Sequence, residues 1–244
     1  MLTKTLRTLT VAVALAFGAP FLASAAGPNG TSPAYGGPCY GGPGAYGQAN
    51  GPNAGLYVPG AAAATVTVPL TVDEAEDLTF MREEEKMARD LYLGFAELYA
   101  AEPFANVANS EQSHMDAMLR LLVKYGLPDP AAGMLIGEFQ DPTLQALFID
   151  LRAKGLVSVL EALKVGGLVE EVDMVDLADA IARATKPDLK QAYENLACGS
   201  RNHLRAFAAN VAIATGAPYV AQYLPQDAVD AILAEPNERC GGSQ

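Results

Sequence analysis

A carboxylate and an imidazole are spaced for joint metal binding at residues 111–114, which read Glu-Gln-Ser-His. Residues three apart in a helix share a face, so Glu111 and His114 would point the same way. Carboxylate oxygen and imidazole nitrogen suit iron or manganese, and zinc accepts them too. The pair predicts part of a metal site on a helix.

The chain has one other histidine, His203. It falls in an apolar seam with the period of a bundle helix, made of Leu189, Tyr193, Leu196, Ser200, His203, Phe207 and Val211. Within that seam His203 is either a metal ligand or a hydrogen-bonded core residue, and the sequence leaves both open.

Glutamates interrupt two further apolar patterns. Glu85 lies between Met81 and Ala88 in a seam over residues 78–99. A buried carboxylate is costly unless it is paired or binds a metal, which favours a ligand role. The alternative is a small helix rotation that puts residues 83–85 on a solvated face.

Glu170 and Glu171 lie on adjacent seams of a later segment, so only one of them is expected to face the bundle interior. We favour Glu171, with Glu170 as the alternative. The predicted metal ligands are Glu85, Glu111, His114, Glu171 and His203. Tyr92 and Tyr193, one heptad from Glu85 and Ser200, either orient these carboxylates or are core aromatics.

The elements that must carry these residues are helices. The sequence predicts four long helices, over 78–99, from Asn109 or Ser110 to Tyr125, over 157–184, and from Pro187 onward. The second of them could already begin at Phe104. Two short helices are predicted over 142–154 and 225–233. Short links join the first and second and the third and fourth long helices, and about 30 residues separate the second from the third. This favours an all-α four-helix bundle over 73–215 with a long crossover, followed by a short helix and tail over 216–244.

The first 25 residues have the features of a cleavable signal peptide. Lys4 and Arg7 precede a mostly apolar run, and Ala23-Ser24-Ala25 is a small-x-small cleavage site. We therefore expect a periplasmic or secreted protein with no stable membrane anchor. Residues 26–72 contain no charged side chain and are rich in Gly, Pro and Tyr, which predicts a disordered arm.

The formal net charge of −12 argues against nucleic-acid binding, because phosphate affinity comes from Lys and Arg. Three cysteines allow one disulfide in an oxidising compartment. Cys39 and Cys240 lie in the flanks and are the favoured pair, whereas Cys198 within a helix reads as a small buried residue.

Three motifs together resemble the ferritin-like family called domain of unknown function 2202: residues 82–90 (REEEKMARD), 110–117 (SEQSHMDA) and 199–207 (GSRNHLRAF). The first motif is also similar to the first helix of rubrerythrin relatives. The resemblance implies a ferritin-like four-helix bundle with a diiron or dimanganese centre. Ser200 departs from the wider ferritin pattern, which has a glutamate there, so the second metal would be held more weakly or with help from Glu170 or Asp173.

Two functions follow as expectations. The first is an exported metalloprotein with oxidase- or peroxidase-type activity, an oxidoreductase acting on Fe(II), oxygen or peroxide. The second is a non-catalytic metal-binding or stress-interaction bundle. A homodimer is compatible with either.

Overall fold

The computed structural model describes residues 68–241, and all regular secondary structure within that range is helical. The predicted all-α class is confirmed. The predicted signal peptide and nearly all of the predicted arm lie outside the described residues. Among the described helices, none has the length and apolar character needed to span a membrane. The helices are α1 Val72–Tyr99, α2 Phe104–Tyr125, α3 Pro142–Gly155, α4 Val159–Arg183, α5 Pro187–Thr215 and α6 Gln226–Ala234.

Local side-chain chemistry sets the helix ends. The Thr71 hydroxyl accepts a hydrogen bond from the Glu74 amide, and the Glu74 carboxylate accepts one from the Thr71 amide, so α1 starts earlier than Leu78. The α2 helix begins at Phe104, which confirms the earlier of its two predicted starts. Gly126, at φ 72°, ends α2 in the left-handed conformation that glycine adopts without strain.

The four long helices form a bundle in which sequence neighbours pack most extensively, α1 on α2 and α4 on α5. The α1 and α4 helices run antiparallel, because Asp77 pairs with Arg183 at one end and the Tyr99 hydroxyl donates to the Gly155 carbonyl at the other. Arg82 of α1 pairs with Asp129 just after α2, so α2 also opposes α1. Consequently α2 and α4 are parallel, and residues 126–158 carry the chain back along the bundle, with α3 packed on α1 and α4.

A disulfide joins Cys198 of α5 to Cys240 in the C-terminal tail. The expected Cys39–Cys240 pair is therefore wrong, as is the reading of Cys198 as a simple buried residue. The tail is also held by Glu238, which pairs with Arg201 and Arg205 of α5. These contacts explain the pairing, because they bring Cys240 alongside Cys198 although 42 positions separate them.

Candidate metal centre

Glu85 of α1, Glu111 and His114 of α2, and His203 of α5 come together inside the bundle, where Glu170 of α4 joins them. All three glutamates are 2% exposed. The five residues form two overlapping sets, and within each set the ligand atoms lie within 4.8 Å of one another. We call Glu85, Glu111 and His114 the first triad, and Glu111, Glu170 and His203 the second triad.

Glu111 belongs to both triads, and its two oxygens face different imidazoles. Its Oε2 lies 2.7 Å from Nδ1 of His114, and its Oε1 lies 2.8 Å from Nδ1 of His203. The two imidazole rings stack with centroids 5.4 Å apart. One carboxylate thus connects two sets of donors.

Each triad has one further carboxylate. Glu85 Oε2 lies 3.2 Å from His114 Nδ1, and Glu170 Oε2 lies 3.4 Å from His203 Nδ1. Each imidazole nitrogen is therefore close to two carboxylates at once. Neutral imidazole and carboxylates arranged in this way match the ligand preferences of iron and manganese.

Several of these buried atoms lack hydrogen bonds, which tests the fit to a cation. Within the described part of the chain, Glu85 Oε1 and His203 Nδ1 have no hydrogen-bond partner, although His203 Nδ1 is so close to Glu111. Ligand atoms around one ion lie close together without being aligned for hydrogen bonds to each other. Buried polar atoms in other places are nearly always hydrogen-bonded. The residues present fit a metal centre.

The charges at the centre are not balanced by lysine or arginine. Among the described residues, the ion pairs of both triads involve only the two histidines, while Arg82 pairs with Asp129 and Lys86 with Asp90. The carboxylates are also desolvated, which penalises their ionised forms. A divalent cation would supply the missing positive charge.

Burial raises the pKa of Glu85 well above its usual range. The charge of His114 lowers this pKa, whereas the negative charges of Asp173 and Glu111 raise it further. Burial lowers the pKa of His203, but the carboxylates of Glu111 and Glu170 outweigh burial and raise it to about 10. In the absence of a cation, Glu85 and His203 therefore tend to keep their protons, and this reduces the net negative charge of the centre. Cation binding would displace those protons, as metal binding to carboxylates and imidazoles generally does.

The expectation that Glu171 faces the centre needs correction, because Glu170 does so. Adjacent helical residues point about 100° apart. The Glu171 carboxylate is fully buried but is turned toward the segment that follows α5. It accepts hydrogen bonds from the Tyr219 hydroxyl and from the backbone amides of Gln222, Tyr223 and Leu224. Glu171 thus holds residues 219–224 against α4.

Other side chains orient the ligands from outside. The Tyr92 hydroxyl donates to Glu170 Oε1 across 2.5 Å, in line with the orienting role expected for Tyr92. Ser110 Oγ lies 2.8 Å from Nε2 of His203, which leaves Nδ1 directed at the carboxylates. Tyr193 is buried within the core.

Ser200 carries no carboxylate to the centre but positions one. Its Oγ donates to Asp173 Oδ2, while Asp173 Oδ1 has no hydrogen-bond partner among the described residues. Burial raises the pKa of Asp173 to about 8, and the negative charge of Glu170 contributes. Asp173 lies one turn after Glu170 on α4 but belongs to neither triad.

Sequence reasoning missed three residues at or beside the centre. Glu84 is 2% exposed, and nothing in the run of three glutamates distinguished it from its neighbours. Ser110 was considered only as a helix cap. Gly199 was not singled out, yet a Cβ there would lie 2.5 Å from Nε2 of His114, so any larger residue would force the ring to shift.

Fold and site together define an all-α bundle with a buried carboxylate–histidine centre. The chain belongs to the family described as uncharacterized protein domain DUF2202, whose model matches residues 74–236. This confirms the resemblance to that family seen in the three motifs.

The chain is also similar to a relative and to a solved structure. The chain is 42% identical over 171 residues to the uncharacterized protein MJ0754 of Methanocaldococcus jannaschii, an alignment that spans 70% of this chain and 92% of that protein. The crystal structure of hypothetical protein MJ0754 from Methanococcus jannaschii DSM 2661 matches with a TM-score of 0.68 at 41% identity, covering 70% of this chain and 98% of the other. Neither name states an activity.

Proposed function

We propose that the protein is a ferritin-like dimetal-carboxylate protein that binds two divalent cations, Fe(II) or Mn(II), one at each triad. The observation that carries the proposal is the position of Glu111 between His114 and His203, with one oxygen toward each. A carboxylate placed between two imidazoles in this way would serve as a ligand in both triads. Glu85 and His114 complete one position, and Glu170 and His203 complete the other.

The donor set supports iron or manganese over softer metals. Each triad offers carboxylate oxygens and one imidazole nitrogen. Two dications would offset the negative charge of the shared and terminal carboxylates. Asp173, whose Oδ1 has no hydrogen-bond partner among the described residues, is available as a further carboxylate.

Bound iron or manganese would supply redox chemistry toward oxygen or peroxide, so we extend the proposal to an oxidase- or peroxidase-type activity. The protein's own contribution is positional. Tyr92 fixes the orientation of Glu170, and Ser110 fixes that of His203. Core residues on the four helices exclude bulk water, which strengthens electrostatic interactions at the centre.

We also propose that the mature protein acts in the periplasm or outside the cell. The sequence of residues 1–25 has the form of a cleavable signal peptide. The Cys198–Cys240 disulfide agrees with an oxidising compartment. Detection of the chain in periplasmic or culture fractions, shortened at its N-terminus, tests this part.

Elemental analysis of the mature protein after reconstitution tests metal binding. We expect about two cations per chain in the wild type and nearly none in Glu111→Gln, because both triads lose their shared ligand. Asp116→Asn is the matched control, since Asp116 is an exposed carboxylate on the same helix and bonds only Gln112 among the described contacts. A wild type that takes up no transition metal would refute the proposal.

Oxygen or peroxide consumption by the Fe(II)- or Mn(II)-loaded protein tests the activity separately. Turnover that disappears in Glu111→Gln and persists in Asp116→Asn would support it. Full metal loading without turnover would remove the oxidase- or peroxidase-type activity and leave a metal-binding bundle.

A further inference from the structure

A second group of carboxylates lies beside the triads, between α1 and α4, and belongs to neither. We call Glu84, Asp173 and Asp176 the α1/α4 acidic cluster. Glu84 and Asp173 are 2% and 6% exposed, whereas Asp176 is only half-buried. The cluster therefore extends from the bundle interior toward solvent.

Its members are connected in order. The side chain of Glu84 is hydrogen-bonded to that of Asp176, and the charges of Asp173 and Glu85 also act on it. Asp173 in turn is close enough to Glu170 and Glu111 for their charges to act on it. Asp176, Glu84 and Asp173 are thus electrostatic neighbours, and Glu84 and Asp173 are also neighbours of the triad ligands Glu85, Glu111 and Glu170.

Two oxygens of the cluster are buried without a hydrogen-bond partner among the described residues, Glu84 Oε2 and Asp173 Oδ1. Outside the triads and this cluster, the buried carboxylates of the described residues are satisfied. Glu83, the residue before Glu84, accepts hydrogen bonds from the amides of Gln140 and Asp141, and Glu171 accepts several from residues 219–224. Unsatisfied buried oxygens need an explanation, and packing alone does not provide one.

No lysine or arginine among the described residues forms an ion pair with Glu84 or Asp173. Lys86 and Arg89, the cationic side chains that follow Glu84 in the sequence, both pair with Asp90. The oxygens of Glu84 and Asp173 are therefore open to an external cation, whose binding would displace the proton in the hydrogen bond between Glu84 and Asp176. Oxygen ligands without imidazole suit hard divalent cations and bind them less tightly than mixed oxygen and nitrogen sites.

We propose that the α1/α4 acidic cluster is a transit site, which takes a divalent cation from solvent at Asp176 and passes it by way of Glu84 and Asp173 to the triads. This inference rests on the proposed metal binding at the triads. The transit site is a separate role, because the cluster would determine how fast the cations load, whereas the triads determine how many cations are bound.

The test measures the rate and the amount of cation uptake by metal-free full-length mature protein. Anaerobic Fe(II), or Mn(II), is mixed with the protein and quenched with a chelator at increasing times, and bound metal is determined. Glu84→Gln and Asp176→Asn keep shape while removing charge. Asp179→Asn is the matched control, since Asp179 lies on the same helix but is directed to Arg183.

We expect both cluster variants to reach the wild-type amount of bound metal at equilibrium, with loading slowed at least about tenfold, as for other electrostatically guided encounters. Asp179→Asn should load at the wild-type rate. Circular dichroism and thermal unfolding check that each variant folds. If Glu84→Gln, a substitution at a buried site, does not fold, the loading rate of Asp176→Asn decides the outcome.

Wild-type loading rates in both variants would overturn the transit site and favour uptake between α2 and α5, where the side chain of His114 is 12% exposed. Folded variants that bind less metal at equilibrium would also overturn it, since the cluster would then be a ligand set. Absence of uptake by the wild type is a different result, which refutes the triads as a metal centre.

Discussion

Ser200 Oγ on α5 donates a hydrogen bond to Asp173 Oδ2 on α4, with 2.5 Å between the two oxygens. The resemblance to ferritin relatives places a glutamate at position 200, one turn before His203. Here the serine instead holds an aspartate that projects from the neighbouring helix. A carboxyl group is therefore present at position 173 where position 200 has none, and its Oδ1 has no hydrogen-bond partner among the described residues.

Substitution Ser200→Glu should make stability depend on metal. In metal-free protein the new carboxylate is buried beside Asp173 without a partner, so we expect unfolding free energy to fall by about 3–5 kcal/mol. Fe(II) or Mn(II) should recover most of that loss, because a Glu-x-x-His unit at residues 200–203 adds a ligand to the second triad. Thermal unfolding with and without metal measures both effects.

Ser200→Ala serves as the control for this variant. It removes the hydroxyl and its hydrogen bonds to Asp173 and to the Leu196 carbonyl without adding a charge, so a loss of about 1–3 kcal/mol is expected with little response to metal. A Ser200→Glu protein that is destabilised equally with and without metal would make His203 a core histidine and reduce the site to the first triad.

Glu170→Gln and Glu171→Gln should have opposite phenotypes although the residues are adjacent. Glu170→Gln removes a carboxylate of the second triad, so bound metal should fall from about two cations per chain to about one. Glu171→Gln should leave metal content unchanged but lower stability by about 1–3 kcal/mol, because it weakens the hydrogen bonds to residues 219–224. Elemental analysis and thermal unfolding of the two variants distinguish these roles, and metal loss in Glu171→Gln alone would reverse the assignment.

The helical period of the sequence was sufficient to predict that Glu85, Glu111, His114 and His203 face the interior of one bundle. Each lies on a seam that a bundle must bury, so the sequence specified both the helix and the face. The same argument could not choose between Glu170 and Glu171, since both are buried. Contacts with residues 219–224, about fifty positions away, decide which of them faces the centre, and no local pattern encodes such contacts.

The disulfide shows the same limit. Cys198 lies on a regular helix, and its partner is brought near by ion pairs of Glu238 that the sequence pattern does not reveal.

Glu84 is a third case. Three consecutive glutamates in a helix would ordinarily include solvated ones, but α3 packs on α1 and α4, and Glu83, Glu84 and Glu85 are all buried. The signal peptide stays a prediction.

Cys240→Ser should lower the unfolding free energy by about 2–4 kcal/mol, because the unfolded chain gains the freedom that closure of the loop removes. Cys198→Ser should have the same effect, and the double variant should add nothing further. Cys39→Ser is the control and should leave stability unchanged. Peptide mapping without reduction gives an independent answer, and a Cys39–Cys240 peptide would contradict the structure.

Glu74 should account for part of the stability lost in acid. Its carboxylate joins the start of α1 to the link between α4 and α5, because it accepts hydrogen bonds from the amides of Thr71 and Thr185 and from the Thr185 hydroxyl. Burial raises the pKa of Glu74, but these hydrogen bonds outweigh burial and lower it to about 2 from its ordinary value of 4.5. The ionised form therefore stabilises the folded state.

A group whose pKa is lower in the folded protein contributes its full stability above the unfolded pKa and loses it as pH falls through the folded one. Glu74→Gln should accordingly be about 2–3 kcal/mol less stable than the wild type at pH 7, with the difference shrinking between pH 4.5 and about 2. Denaturant unfolding across that range measures it, with the exposed Glu76→Gln as the control. A difference that stays constant with pH would mean that the Glu74 contacts act through packing and not through its charge.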